Sequence, residues 1–176
     1  AVALGTDNAR WFSEFIGIDC QLVYMPERSH RPTAHGQLGA DRLVSFADAY
    51  PYLLISEASL AGLNEKLLAQ GTEPATMARF RPNLVVKGCA APHEEDRWRQ
   101  IRVGKAVLDL PKLCARCSIP NVNPASGDHG KEPTKTLSTY RYWDKGIWFG
   151  QNCAQVHSGN PSITLRIGDA IEVTNE

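Results

Sequence analysis

The amino-acid sequence predicts an α+β fold, mainly β, arranged as an antiparallel β-barrel with peripheral helices. Short runs of alternating apolar and polar residues, joined by tight turns that contain glycine, occupy much of the chain after residue 83. Apolar residues with clear helical spacing occur before residue 72. Because helices and strands do not alternate along the chain, the pattern disfavours a parallel α/β sheet.

The first predicted helix lies near the start of the sequence. From Trp11 to Ile16, apolar residues recur at i, i+1, i+4 and i+5, which gives one apolar stripe. Asp7 is the expected N-cap, and Gly17 is expected to end the helix. A short strand is predicted over 20–25.

The second helix is the clearer one. A polar stretch over 26–41, predicted to be an exposed loop, comes before it. Leucines then recur at helical spacing from Leu60 to Leu67. Ser56 is the expected N-cap and Gly71 the expected end.

The β-strand predictions rest on alternation and on turn residues. Gly104-Lys105 has hairpin spacing between two alternating runs, and Gly168-Asp169 forms a turn between two others. The predicted strands cover residues 84–86, 101–103, 106–110, 163–167 and 171–173.

A long segment without predicted regular structure runs from Cys114 to Lys135. Pro120, Pro124 and Pro133 interrupt it. Because long loops in compact domains are usually functional or disordered, and this one begins with two cysteines, we expect it to be functional.

Composition excludes some classes of partner. The 176 residues suffice for a domain with a real core, and 19 Lys and Arg balance 19 Asp and Glu. Zero net charge argues against broad contacts with nucleic acid or an anionic membrane. No apolar run approaches the roughly 20 residues of a membrane span. The odd cysteine count, five, indicates free thiols in a reducing compartment, so we expect a cytoplasmic location.

Cys114-Ala-Arg-Cys117 is the sharpest local motif, and four interpretations stay open. It could be half of a zinc site, for which Cys153, His129 and His157 are the available further ligands. It could be a redox dithiol, although the prolines that follow disfavour the helix such motifs open.

The other two interpretations concern single thiols. One cysteine could be a reactive or metal-binding thiolate, favoured at Cys117 if the Arg116 charge lies close to it. Alternatively, both cysteines are buried and only fill space.

A basic segment precedes the strand predicted at 84–86. Arg79, Arg81 and Asn83 could bind a phosphate or carboxylate together, or could form a solvated basic turn. Further along, the run 94–96 is predicted to be an exposed acidic loop, and Trp98 is expected to pack inward.

Eight motifs follow one another along the chain. They are Phe80–Val86, Glu95-Asp96-x-Trp98, Ile101-x-Val103-Gly104, Cys114-x-Arg116-Cys117, Asn123-Pro124-x-x-Gly127, Thr136-Leu137-x-x-Tyr140-Arg141, Phe149–Asn152 and Gly168-Asp169. In this order they resemble the motifs of the MOSC domain, the C-terminal domain of molybdenum cofactor sulfurases. Within that superfamily the sequence is most similar to the mitochondrial amidoxime-reducing component and its bacterial relatives. Upstream segments at 11–17, 45–51 and 56–64 resemble the end of that family's N-terminal domain.

The resemblance implies a MOSC-type β-barrel and a molybdenum–molybdopterin cofactor whose only protein ligand to the metal is Cys117. It places Arg81 and Asn83 at positions that hold the pterin and its phosphate, and Arg116 is included as a further cofactor-binding candidate. Ala115 stands where the family often has serine, so a hydroxyl contact near the metal is expected to be lost.

The implied activity is reduction of N-hydroxylated small molecules. Electrons would come from an external haem, flavin or iron–sulfur protein, because the iron–sulfur domain that a bacterial subgroup carries is not in this sequence. An alternative function of MOSC domains is sulfur transfer for the assembly of metal–sulfur centres, with a persulfide on Cys117.

The resemblance also implies two parts of the chain. Residues 1–64 would be the C-terminal part of the N-terminal-type domain with its junction helix, and residues 65–176 the barrel. We expect the chain to be truncated, with part of the cofactor pocket missing, so that the cofactor could be absent and the domain inactive. An added anion is then expected to bind within reach of Arg81 or Arg116.

Overall fold

A computed structural model describes residues 1–33, 38, 42–156 and 163–175. These residues form nine strands and three α-helices, and most of the strands belong to one sheet. In chain order the elements are β1 Val2–Ala3, α1 Thr6–Ile16, β2 Val23–Tyr24, β3 Tyr52–Ser56, α2 Glu57–Ala69, β4 Leu84–Val86, β5 Gln100–Val103, β6 Ala106–Ala115, α3 Thr134–Ser138, β7 Tyr142–Trp143, β8 Gly146–Gln155 and β9 Ile171–Asn175.

The large sheet is curled into half a barrel, so the mainly β α+β fold is confirmed. Its strands lie in the order β4-β3-β8-β6-β5-β9, and β7 pairs with the start of β8. The strictly antiparallel arrangement is wrong at one pair, because β3 and β4 run parallel. The reason is α2, which lies between them in sequence and returns the chain to the same end of the sheet.

The central strands β6 and β8 are each ten residues long. Their register shifts twice, between Asp109 and Lys112 and between Leu113 and Ala115. Gly150, with φ 82°, lies at the second irregularity. Such bulges kink a strand and increase its twist, which produces the curl of the sheet.

Neighbouring residues of β3 supply two separate cores, because successive side chains of a strand point to opposite faces. Leu54 packs in one cluster with Trp98 and the inward side chains of β5 and β6. Ile55 packs in the other with leucines of α2 and α3. Helices α2 and α3 therefore cover one face of the sheet, and the inward orientation expected for Trp98 is confirmed.

The helix predictions are largely confirmed. The Ser56 side chain caps α2 by accepting the Ser59 backbone N–H, and Gly17, with φ 78°, ends α1. The N-cap prediction for Asp7 is wrong, because Asp7 lies inside the first turn and Gly5 occupies the cap. The apolar stripe of α1 is largely exposed to solvent: Phe15 is 79% exposed.

Two strand predictions differ from the structure. The residues described between 163 and 167 form no strand, and the last strand is Ile171–Asn175, which pairs with β5. Within 20–25 only Val23–Tyr24 is a strand, and it pairs with β1 in a separate two-stranded sheet. Of the predicted loop 26–41, residues 34–37 and 39–41 lie outside the described residues.

The division predicted between residues 64 and 65 stays a prediction. Helix α2 runs across it, and β3, on its N-terminal side, lies inside the large sheet. Among the described helices, none is long and apolar enough to cross a membrane.

Candidate functional site

The structure brings two loops together at the end of β6. One follows the 3₁₀ turn Met77–Phe80 and carries Arg81; the other follows β6 and carries Cys117. The Arg116 Nη2 donates a hydrogen bond to the Phe80 carbonyl at 3.0 Å. The Arg79 Nη1 donates one to the Pro120 carbonyl at 3.2 Å. These two arginines tie the loops together, so Arg81 and Cys117 lie on adjoining segments although 36 residues separate them.

Arg81 has the backbone conformation of a constrained residue. Its φ is 54° and its ψ 46°, a left-handed conformation that residues with a Cβ rarely adopt. Its backbone N–H donates to the Ala78 carbonyl and closes the preceding turn. The side chain is exposed and has no hydrogen-bond or ion-pair partner among the described residues. Its guanidinium is therefore available to an anion.

Asn83 anchors the start of β4 to β3. Its side-chain Oδ1 accepts the Leu53 N–H at 2.9 Å, and its own backbone N–H donates to the Leu53 carbonyl at the same distance. Because the amide oxygen is engaged, the Nδ2 hydrogens are the part of the side chain that a ligand could use. Because Asn83 is anchored to β3, Arg81, two residues earlier, is held close to the sheet.

Arg116 mainly links the two loops. Its Nη1 lies 3.3 Å from the Cys114 Sγ, and its guanidinium carbon lies 5.5 Å from the centre of the Phe80 ring. The charge expected beside Cys117 therefore lies beside Cys114. The buried Nε has no hydrogen-bond partner in the described part of the chain, so one donor of Arg116 is still unpaired.

Cys117 is the one exposed thiol of the five cysteines, all of which are described and free. Burial raises the pKa of the Cys153 thiol and, helped by Glu95 and Glu94, that of Cys89. These two thiols are poor candidates for nucleophiles or metal ligands at neutral pH, because the thiolate is the reactive form. Accessibility therefore favours Cys117 over these two thiols.

The zinc interpretation finds no support among the described residues. No group of three or more His, Cys, Asp and Glu side chains converges there in a geometry that could hold a metal ion. His157, one of the further ligands considered, lies outside the described residues.

The expectation of an exposed acidic loop at 94–96 is wrong. Glu95 is fully buried and accepts three hydrogen bonds, from the Ser56 N–H, the Ser56 Oγ and the Ser59 Oγ, the last at 2.6 Å. The N-terminus of α2 supplies these donors, and a buried carboxylate needs them. No local sequence pattern marks this contact, because the donors lie 36 and 39 residues earlier in the chain.

Asp96 pairs with Arg141, which is buried. Its Oδ2 accepts a hydrogen bond of 2.6 Å from the Arg141 Nη2, and Arg141 Nε donates to the Trp148 carbonyl. Burial raises the pKa of Asp96 in spite of the arginine. Nearby, burial and the Arg141 charge lower the pKa of His93 to about 4.

A cavity of about 360 Å³ lies beside the segment 121–133. Its lining includes Arg79, Asn121, His129 and Lys131. None of the four predicted site residues lines it. The candidate site is therefore the pair of loops described above, and this cavity adjoins it through Arg79.

Comparison with known proteins shows the family to which the chain is similar. A family model for the MOSC domain matches residues 41–172. Mitochondrial amidoxime-reducing component 1 of Mus musculus is 35% identical over 181 residues, which cover 95% of this chain and 50% of that protein. Mitochondrial amidoxime reducing component 2 of Bos taurus is 31% identical over 176 residues, covering 95% of this chain and 51% of that protein.

A third relative has a different name. Molybdenum cofactor sulfurase of Oryza sativa subsp. japonica is 35% identical over 179 residues, which cover 94% of this chain and 20% of that protein. The chain thus spans about half the length of the two amidoxime-reducing relatives and a fifth of the sulfurase.

Proposed function

The chain belongs to the MOSC domain family, and from that premise we propose that it binds a molybdenum–molybdopterin cofactor and reduces N-hydroxylated small molecules. The observation that carries the proposal is the placement of the exposed Cys117 thiol on a loop tied to the loop of Arg81. The names of the amidoxime-reducing relatives supply the reaction class.

The residues present fit this cofactor chemically. A thiolate is a soft ligand suited to a redox-active transition metal, and Cys117 is open to solvent. A guanidinium matches a phosphate, and Arg81 has an unengaged one among the described residues. The unpaired, buried Nε of Arg116 is a further donor at the same junction. A soft metal ligand and anion-binding donors therefore occur on the same pair of loops.

Each residue has a separate task in the proposal. Cys117 ligates the metal, Arg81 and the Nδ2 of Asn83 bind the pterin phosphate, and Arg116 holds the two loops at a fixed spacing. When bound, the molybdenum centre supplies the redox chemistry, and the protein supplies binding, orientation and electrostatics. Reduction of an N–OH group to N–H with release of water consumes two electrons and two protons. We propose an external haem, flavin or iron–sulfur protein as the electron source.

We also propose a reducing compartment, the cytoplasm, for this chain. All five cysteines are free, including the exposed Cys117, and an exposed thiol persists most readily where disulfides do not form. Two of the relatives compared are named mitochondrial proteins, and that word describes those proteins.

A matched pair of cysteine variants tests the function. Cys117→Ala is expected to lose both bound molybdenum and reduction of benzamidoxime, because it removes the ligand to the metal. Cys114→Ala makes the same change three residues earlier and is expected to keep the metal. Elemental analysis of the purified chain from a host that makes the cofactor, with product detection by chromatography, gives both readouts. Retention of metal and activity by Cys117→Ala would contradict the proposal.

A sulfur carrier is the second candidate function, favoured by the exposure of the Cys117 thiol and by the similarity to a molybdenum cofactor sulfurase. In this function the Cys117 thiolate accepts a sulfur atom from the persulfide of a cysteine desulfurase, which returns to its thiol form. Mass spectrometry after incubation with a desulfurase and cysteine is expected to show one added sulfur atom on Cys117. An unmodified Cys117 would refute this candidate.

A further inference from the structure

The hairpin formed by β7 and β8 has an unusually constrained tip. Asp144 and Lys145 connect the strands with φ of 46° and 61°, so both central residues of the turn are left-handed. Two successive positive φ values define the type I′ hairpin turn, for which Asn-Gly is the preferred sequence. Here both residues of the turn carry a Cβ, which disfavours this conformation. Contacts around the turn must therefore stabilise it.

Two tryptophans supply those contacts. The Trp148 Nε1 donates a hydrogen bond of 2.9 Å to the Trp143 carbonyl, and the two indole centres are 6.0 Å apart. A Cβ added at Gly146 would lie 2.8 Å from the Trp148 ring, so the indole lies against the backbone of the turn. The hairpin therefore presents two adjoining indoles in fixed positions.

A largely buried ion pair between Arg141 and Asp96 lies against the Trp143 ring. The Arg141 guanidinium lies 4.7 Å from the Trp143 ring centre and is itself fixed by the hydrogen bond to Asp96. Trp143 nevertheless remains 38% exposed, and Tyr142 beside it is 59% exposed. Aromatic surface that is both rigid and open to solvent is suited to bind a flat ligand with little loss of side-chain entropy.

Strand register brings the hairpin beside the segment that leads to Cys117. Ala115 of β6 pairs with Trp148 of β8, and the next residue, Arg116, donates its N–H to the Ile147 carbonyl at 2.7 Å. Paired Cα atoms in an antiparallel ladder are about 5 Å apart, a distance that an indole ring spans. Strand β6 ends at Ala115, and Cys117 follows two residues later. The exposed thiol therefore comes directly after the segment that pairs with the hairpin.

Resting on the proposed reductase function, we propose that Trp143 and Trp148 form an aromatic wall of the substrate site. The wall would select substrates in which the N-hydroxylated group is conjugated to a flat aromatic ring. The ring lies against the indoles while the N–OH group points towards the metal held by Cys117. A flat ring gains both apolar contact and offset stacking on an indole, whereas a short alkyl group gains little of either.

A small molecule is the occupant that the dimensions favour. A stable protein–protein interface buries about 800 Å² on each partner, far more than two partly exposed indoles offer. The position next to the only exposed thiol also suits a ligand that reacts there.

Substrate selectivity tests the wall. For Trp143→Leu, the ratio of kcat/KM for benzamidoxime to that for acetamidoxime is expected to fall about tenfold, since the flat ring loses its stacking surface. Trp143→Phe, which keeps a ring, is expected to retain most of that ratio and shows that the effect is not general damage to the hairpin. Trp11→Leu makes the same change at a 60% exposed position on α1 and is expected to leave the ratio unchanged. An unchanged ratio in Trp143→Leu would overturn the proposal.

A binding measurement separates failure of the wall from failure of the reductase function. If the cofactor-loaded chain reduces neither substrate, the proposed function fails and the wall is tested by titration with benzamidine. The chain has four tryptophans, so their indole N–H signals can be followed by NMR. The signals of Trp143 and Trp148 are expected to shift, and those of Trp11 and Trp98 to stay. Absence of shifts at Trp143 and Trp148 would refute the aromatic wall independently of activity.

Discussion

At the scale of single residues, Cys117 and Glu95 occupy opposite environments, one exposed and one fully buried. The sequence predicts Cys117 as a candidate thiolate, and an exposed thiol is open to a ligand. Three acidic residues in a row are usually solvated, and for that reason the sequence predicts an exposed loop at Glu95. Its burial depends on donors from residues 56 and 59, a contact across about 40 positions that no local pattern encodes.

Removal of the Glu95 carboxylate is predicted to destabilise the fold. Glu95→Ala leaves the Ser56 N–H and the Ser59 hydroxyl buried without their acceptor, at a cost of about 3 kcal/mol in the free energy of unfolding. Urea denaturation followed by circular dichroism measures it. Glu65→Ala, at an exposed position of α2, is the control and should cost less than about 0.5 kcal/mol. Equal stability of the two variants would contradict the assigned role.

At the scale of elements, helix α2 and the hairpin of β5 and β6 were predictable because local signals mark them fully. A serine cap and regular leucines define the helix, and a glycine turn joins the two alternating runs. The last strand was harder to place. Residues 163–167 and 171–173 alternate equally well, and only pairing with β5 distinguishes the second run. The parallel pairing of β3 with β4 likewise depends on where α2 packs.

The bend of β8 depends on Gly150, which leads to a second stability prediction. An added Cβ there would lie 2.8 Å from the Leu54 carbonyl and 2.7 Å from the Ile55 side chain, in a backbone with φ 82°. Gly150→Ala is therefore predicted to cost about 3 kcal/mol or more, from strain and overlap together.

Gly104 provides the matched comparison for that variant. It also has a positive φ, 57°, but nothing lies within 4 Å of an added Cβ. Gly104→Ala should cost about 1 kcal/mol, the conformational part alone. Thermal or urea unfolding of both variants measures the difference in stability. If Gly150→Ala is no less stable than Gly104→Ala, the bulge does not need glycine.

At the scale of the whole molecule, charge balance concealed a local concentration of positive charge. The formal net charge is zero, yet Arg79, Arg81 and Arg116 converge where two distant loops meet. Composition correctly argued against broad electrostatic binding, but it averages over the surface and does not describe a single junction. The motif order identified the residues of the candidate site. Their proximity follows from the fold, through contacts between residues 79–80 and 116–120.

The central claim is that Cys117 holds molybdenum, and anomalous X-ray diffraction tests it most directly. Crystals of the cofactor-loaded chain, measured on both sides of the molybdenum absorption edge, are predicted to show one anomalous peak within bonding distance of the Cys117 Sγ, with the cofactor phosphate against Arg81. The absence of such a peak in cofactor-loaded crystals, or a peak bound to another residue, would contradict the account.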